Sequence, residues 1–231
     1  MTGLQPFPGL KPCEILKSAN VGLMCYQWIK RNGLAADACQ FKSWDLMHCL
    51  PYLAHGNLLD MGCGNLTDTQ QSASVVLLNA QKLGVLGEKV GIDLVDLPPV
   101  PGMKVIKGSL LEVPYPDAHF QTVACLSVIE HGVDVVKFCR EVSRLLKPGG
   151  DLWLTFDYWP DADSTPDWSI FNRQRAGNLI EVAQGEFGLK LQEEMDWATG
   201  EVVITPRNYS PGPVSYTFGA MWFRKMGDTG K

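Results

Sequence analysis

Leu58-Leu59-Asp60-Met61-Gly62-Cys63-Gly64-Asn65 is an apolar run that ends on a carboxylate and passes directly into a glycine turn. In an open α/β sheet such a turn takes the nucleoside part of a cofactor, because backbone without side chains can approach a ligand closely. The third glycine of a dinucleotide-binding turn is missing, and Thr67 stands in its place. The close helix approach that holds a pyrophosphate is therefore not built, and the turn suits a ligand without phosphates. Val90-Gly91-Ile92-Asp93 carries a second carboxylate to the end of the next apolar run, where it can accept from both hydroxyls of an unmodified ribose. The separation from Gly64 to Asp93 exceeds the roughly twenty residues usual between such a turn and its acid. The polar run from Leu66 to Gln71 accounts for the excess, and Asp96, followed by Leu97-Pro98-Pro99, is the weaker candidate.

The elements that must position these groups read as a doubly wound, mostly parallel sheet: short apolar runs ending in Gly or Asp, separated by helical stretches. Strands are expected at 57–61, 89–92, 103–106, 120–126 and 152–156. Helices are expected at 72–83 and 134–146, the second with Val135, Phe138, Val142, Leu145 and Leu146 on its apolar side and ended by Lys147-Pro148-Gly149-Gly150. The segment from Tyr158 to Trp168 is a Pro-, Asp- and Trp-rich loop over the carboxyl edge of the sheet, long enough to shape a pocket. A helix at 169–185 and β-prone stretches at 189–195, 202–205 and 216–223 follow, the last two read as antiparallel strands closing the sheet. Residues 1–55 hold two helices, at 19–31 and 43–54, the latter interrupted by Pro51, and read as a cap on a single domain formed by residues 56–231.

Composition narrows the partners. The 231 residues carry 20 Lys+Arg against 25 Asp+Glu, a net charge of -5 with no basic run, which argues against nucleic acid. Seven scattered cysteines without a C-x-x-C pair point to free thiols in a reducing compartment, with the cytosol as the expected location and no metal cluster. No stretch reaches membrane-spanning length and the opening residues do not read as a leader.

Together the motifs resemble class I S-adenosylmethionine-dependent methyltransferases of the type 11 group. The resemblance rests on Leu58 to Gly64, Gly91-Ile92-Asp93, Gly108-Ser109-Leu110-Leu111 with Val113-Pro114-Tyr115-Pro116-Asp117, Leu126 to His131, and Glu141 to Gly150, in family order. The stretch from Tyr216 to Lys225 resembles the last strand of members associated with sugar and polysaccharide modification. The resemblance implies a seven-stranded Rossmann-like sheet and S-adenosylmethionine as cofactor. Gly62, Cys63 and Gly64 would lie against its methionine and ribose portions, and Asp60 would receive its amino group. Asp93 would take the ribose hydroxyls, Ser109 and Leu110 would frame the adenine, and Leu94 and Ser127 would complete the contacts. Ser109 departs from the acid usual there, which passes the adenine amino contact to a carbonyl or water.

On this reading the acceptor meets residues at the ends of the fourth and fifth strands: Glu130, His131, Asp157 and Tyr158. An alcohol acceptor must lose a proton, and His131, whose ordinary pKa lies near neutrality, is the expected general base, with Asp157 as its orienting partner or a second base. Tyr158, Trp159 and Tyr26 are expected as walls for a ring or sugar face. The expected reaction is O-methylation of a sugar or other polyhydroxylated small molecule. N- or C-methylation of another small molecule, methylation of a protein, and cofactor binding without turnover remain the alternatives.

Overall fold

The computed structural model describes residues 3–66, 71–72, 74–162, 170–203 and 215–227. Its strands are β1 (Glu14–Ile15), β2 (Leu58–Met61), β3 (Asn65–Leu66), β4 (Gln71–Ser72), β5 (Lys89–Asp93), β6 (Lys104–Lys107), β7 (Phe120–Leu126), β8 (Leu146–Tyr158), β9 (Leu189–Leu191) and β10 (Thr217–Lys225). Its helices are α1 (Ala19–Arg31), α2 (Ser43–Cys49), α3 (Val75–Lys82), α4 (Val135–Leu145) and α5 (Arg173–Phe187). Apart from the β3–β4 hairpin, the strands form one sheet of eight in the order β1-β10-β8-β7-β2-β5-β6, with β9 also on β10. The block from β8 to β6 is parallel; β10 runs antiparallel to β8. The expected doubly wound sheet and its antiparallel closing strand are thus present. The sheet is seven strands wide, because β1 and β9 share the outer side of β10 end to end.

Local chemistry explains the element ends. All four residues of β2 are buried, as a central parallel strand covered on both faces requires. Helix α3 is capped by Ser74, whose Oγ accepts from the Leu77 N–H, and α4 by Asp134, which accepts from the Lys137 N–H. Helix α4 buries Phe138, Val142 and Leu145 along one stripe, and α5 ends at Gly188 in the left-handed conformation. On one face of the sheet α4 and α5 form a core with Val123, Leu152 and Phe156. On the other, Ile29, Trp44, Leu50 and Val76 pack with Ala124, Trp153 and Phe218.

Several boundaries differ from expectation. Leu146 does not close α4 but opens β8, pairing with Phe120, so that strand has 13 residues. Helix α2 stops at Cys49, and Leu50–Tyr52, which contains Pro51, tightens into a 3-10 turn. The stretch 189–195 yields only β9. Val203 is not in a strand but donates its N–H to the Tyr216 carbonyl at 3.1 Å. Thr67, Trp168 and Thr205 lie outside the described residues. Residues 1–55 contribute a strand as well as helices: Glu14 and Ile15 pair with Ala220 and Gly219, and the Leu16 N–H donates to Phe218 O at 2.8 Å.

The turn after β6 is held from α4. Arg144 donates to the carbonyls of Tyr115 (2.7 Å) and Val113 (3.0 Å), to Asp117 (2.9 Å) and to Glu141 (2.7 and 2.9 Å). Glu141, itself buried, accepts the Val113 N–H at 2.7 Å. The sequence motif Glu141-Val142-Ser143-Arg144 is therefore a clamp on the loop that leads from β6 to β7. Removing the cation leaves a buried carboxylate uncompensated, which typically costs about 3 kcal/mol. Arg144→Leu should lower the free energy of unfolding by about that amount in urea titrations, and Glu141→Gln should lose less, because the amide can still accept the Val113 N–H.

Candidate active site

At the carboxyl edge of the parallel strands lies a cavity of about 580 Å³. One end is formed by Asp60, Gly62 and Gly64 from the end of β2 and the turn after it, Asp93 and Leu94 at β5, and Gly108 and Leu110 beyond β6. The other end is formed by Asp37, Cys39, Lys42 and Asp45 of the N-terminal segment, facing Ser127 and His131 after β7.

The glycine turn is a steric necessity. Gly62 has φ +73°, its N–H donates to Ile92 O at 2.8 Å, and a Cβ there would run into both Val128 methyls. A Cβ on Gly64 would lie 3.0 Å from Asp93 Oδ2, the atom that accepts the Gly64 N–H at 2.8 Å. Asp93 Oδ1 accepts the Val95 N–H at 3.1 Å, so this carboxylate is fixed at the mouth of the turn from both sides. Asp60 is buried and accepts from Ser74 Oγ at 2.7 Å; burial pushes its pKa up to about 7. Cys63 is buried under the turn with Sγ against Gly91, and its side chain does not line the cavity. Ser109 likewise stays out of the lining and accepts the Leu111 N–H at 3.1 Å, whereas its neighbours Gly108 and Leu110 face the cavity.

The far end is built on charge. Ser127 is one of two described non-glycine residues with positive φ, +53°, a strained geometry held by its N–H donating to Thr155 O and Oγ1 at 3.0 and 3.1 Å. Its hydroxyl donates to Asp45 Oδ2 at 2.8 Å. Asp45 is buried, and its pKa is pushed up to about 6 by desolvation against the pull of Lys42. Lys42 Nζ lies 3.9 Å from Asp157 Oδ1 and 5.5 Å above the Phe218 ring, and Asp157, Asp45 and Glu130 together raise its pKa despite burial. Glu130 is buried and accepts the Asp157 N–H at 3.1 Å; desolvation raises both carboxyls, and the charge of Asp157 raises Glu130 further. The His131 imidazole is exposed at the rim. The protein beneath it still removes enough water to hold its pKa below the ordinary value, against the field of Asp157.

Of the expected site residues, Asp60, Gly62, Gly64, Asp93, Leu94, Leu110, Ser127 and His131 line one cavity. Asp157 stands behind His131 and acts on it by charge. Tyr158 does not join them: its side chain is buried on the opposite face of the sheet, 6.3 Å from the Phe156 ring and 6.0 Å from the Trp197 ring. Strand alternation forbids Asp157 and Tyr158 from facing the same side. Trp159 follows the strand with its N–H on Phe171 O, and Tyr26 packs at the margin of the core under α1; neither lines the cavity. Lys42, Asp45 and Asp37 were not legible as site residues, since nothing in their spacing marks them.

Residues 59–154 match the family model described as a methyltransferase domain. Over that span the chain is similar to class I S-adenosylmethionine-dependent methyltransferases. A demethylmenaquinone methyltransferase of Listeria welshimeri is 26% identical over 153 residues, 61% of this chain and 60% of that protein. This chain therefore spans about 60% of the length of that relative. A 27-O-demethylrifamycin SV methyltransferase of Amycolatopsis mediterranei is 32% identical over 108 residues, 46% of this chain and 40% of the other. Among solved structures, the geranyl diphosphate C-methyltransferase of Streptomyces coelicolor, in complex with S-adenosyl-L-homocysteine, superposes with a TM-score of 0.53 at 16% identity over 76% of each chain. S-adenosylmethionine is the cofactor this similarity implies, and the near end of the cavity fits it. Gly62 and Gly64 line that end with backbone, Asp60 and Asp93 supply acceptors for an ammonium and a diol, and Ile92, Leu94 and Leu110 supply an apolar surface for a purine.

Two buried acids with raised pKa values make stability depend on pH. An aspartate ordinarily titrates near about 4 when unfolded. Between about 4 and the folded values of about 7 for Asp60 and about 6 for Asp45, the native state holds protons that the unfolded state has released. The contribution of each acid is therefore highest at low pH and falls as pH rises through that window. Urea midpoints of the ligand-free protein should show this falling component, and Asp60→Asn should remove the part that extends toward pH 7.

Proposed function

We propose that the protein transfers the methyl group of S-adenosylmethionine to a hydroxyl of a small polyhydroxylated molecule, with sugars as the favoured class. The observation that carries this reading is the far end of the cavity, where a histidine held neutral stands with Asp37, Lys42, Asp45 and Ser127 between the apolar Leu46, Leu126, Val128 and Val133. Such a lining suits a polar acceptor better than a sterol-like or prenyl chain. The seven free thiols are consistent with a reducing compartment such as the cytosol.

When bound, S-adenosylmethionine supplies an electrophilic methyl for in-line displacement. Asp93 would hold the ribose hydroxyls, Asp60 the amino group, and Leu94 and Leu110 the purine. His131 would accept the hydroxyl proton, because at neutral pH a histidine with a lowered pKa is a free base. Asp157 would stabilise the imidazolium that results. Residues 1–55 would roof the acceptor end through the segment from Asp37 to Asp45 and exclude water from it.

A positioned base typically contributes about 10²- to 10⁴-fold. His131→Ala should lower kcat by that order while S-adenosylhomocysteine affinity measured by calorimetry changes little. The acidic limb of the parent's pH-rate profile should lie below about 6.5 and vanish in the variant. Turnover of labelled S-adenosylmethionine against sugars, nucleotide sugars, phenols, amines and peptides tests the acceptor class; methylation of peptides alone, or of nothing, would refute it. On the cofactor side, Asp93→Asn should weaken S-adenosylhomocysteine by about 2 kcal/mol, since a charge-assisted contact is lost.

A further inference from the structure

Asp45 is the group in the cavity whose arrangement the cofactor reading leaves unexplained. Its side chain is 3% exposed, yet it lines the cavity, and the two carboxylate oxygens are treated differently. Oδ2 accepts from Ser127 Oγ at 2.8 Å, while Oδ1 is buried without a hydrogen-bond partner. The Ser127 backbone holds a positive φ, pinned by two hydrogen bonds to Thr155. A strained residue that orients a buried carboxylate and leaves one oxygen open is a geometry built to receive a donor. The charged groups around it set the sign of that donor. Lys42 faces Asp45 from the turn before α2, Asp37 from the segment before that, and Asp157 from β8 with Glu130 beside it. Lys42 thus faces Asp45, Asp37 and Asp157, while Glu130 is raised by burial and acted on by Arg175, so an incoming anion would meet more negative than positive charge.

Resting on the function proposed above, we propose that the acceptor carries an amine beside its hydroxyls, and that Asp45 Oδ1 is the oxygen that receives this ammonium. Asp45 is then the residue that selects amino-polyols over neutral polyols and rejects phosphorylated ones. Ser127 is its positioning residue. A charge-assisted hydrogen bond of this kind separates the amine from the neutral analogue by about tenfold or more.

The test uses the full chain and two matched triads: glucosamine, glucose and glucose 6-phosphate, and serinol, glycerol and glycerol 3-phosphate. In the parent, the amine of each triad should be methylated with a kcat/KM at least about tenfold above the neutral member, and the phosphate should be poorest. Asp45→Asn, which can still accept from Ser127, should erase most of that preference through KM with kcat within a few-fold. Its S-adenosylhomocysteine affinity by calorimetry should stay within about threefold of the parent. A tenfold loss of S-adenosylhomocysteine affinity would overturn the inference and give Asp45 to the cofactor's own amino group. A preference for neutral or phosphorylated members, or an amine preference untouched by Asp45→Asn, would overturn it as well. If nothing is methylated, the proposed reaction fails on its own. The inference is then decided by melting temperatures of the S-adenosylhomocysteine-loaded protein, which must rise with the amines, and less in Asp45→Asn, or the inference fails.

Discussion

Carboxylates removed from water at one edge of a parallel sheet set the terms for this molecule. Asp60, Asp45, Glu130 and Asp157 all sit where strands end or where a helix is pressed against those ends, and desolvation raises every one of them. A core that needed only stability would place apolar groups there, since isolated buried charges are costly. The fold instead holds them in place with a few specific contacts: Ser74 on Asp60, Ser127 on Asp45, the Asp157 amide on Glu130, and Lys42 close to Asp157. The remaining attraction is left for a ligand that brings its own positive charge, and S-adenosylmethionine is such a ligand.

The rest of the architecture keeps that edge open. Gly62 and Gly64 let the turn close against Val128 and Asp93, and the Arg144–Glu141 clamp fixes the loop whose start, Gly108 and Leu110, floors the near end. Helix α4 contributes nothing to the cavity directly; its role is to anchor the chain on its way from β6 to β7.

What could be read from the sequence follows from how local each signal is. The central strands announce themselves as short apolar runs, and Asp60, the two glycines and Asp93 follow from their position at strand ends. The clamp was visible as a motif but not as a clamp, because its partners, Val113 and Tyr115, lie about thirty residues away. Tyr158 was misplaced by reading two adjacent strand residues onto one face, an error that period-two alternation corrects. Lys42 and Asp45 were invisible for a different reason. Helix α2 is buried at all seven positions, so it offers no polar stripe from which an inward carboxylate could stand out, and its meeting with Ser127 spans 82 residues.

The place of β10 has a consequence for how the chain comes together in time. Residues 217–225 lie between β8 and the pair β1 and β9, so Glu14 and Ile15 have no sheet to join until a segment some two hundred residues later has docked. The bond from Thr217 Oγ1 to Leu16 O, buried and spanning 201 positions, belongs to that final step. Contacts of such separation form late and slowly. A nascent chain would therefore assemble the parallel block before Glu14 and Ile15 find their place on β10. The chemistry at the sheet edge becomes complete when the two distant segments close on each other, which ties competence of the site to completion of folding rather than to any one helix or strand.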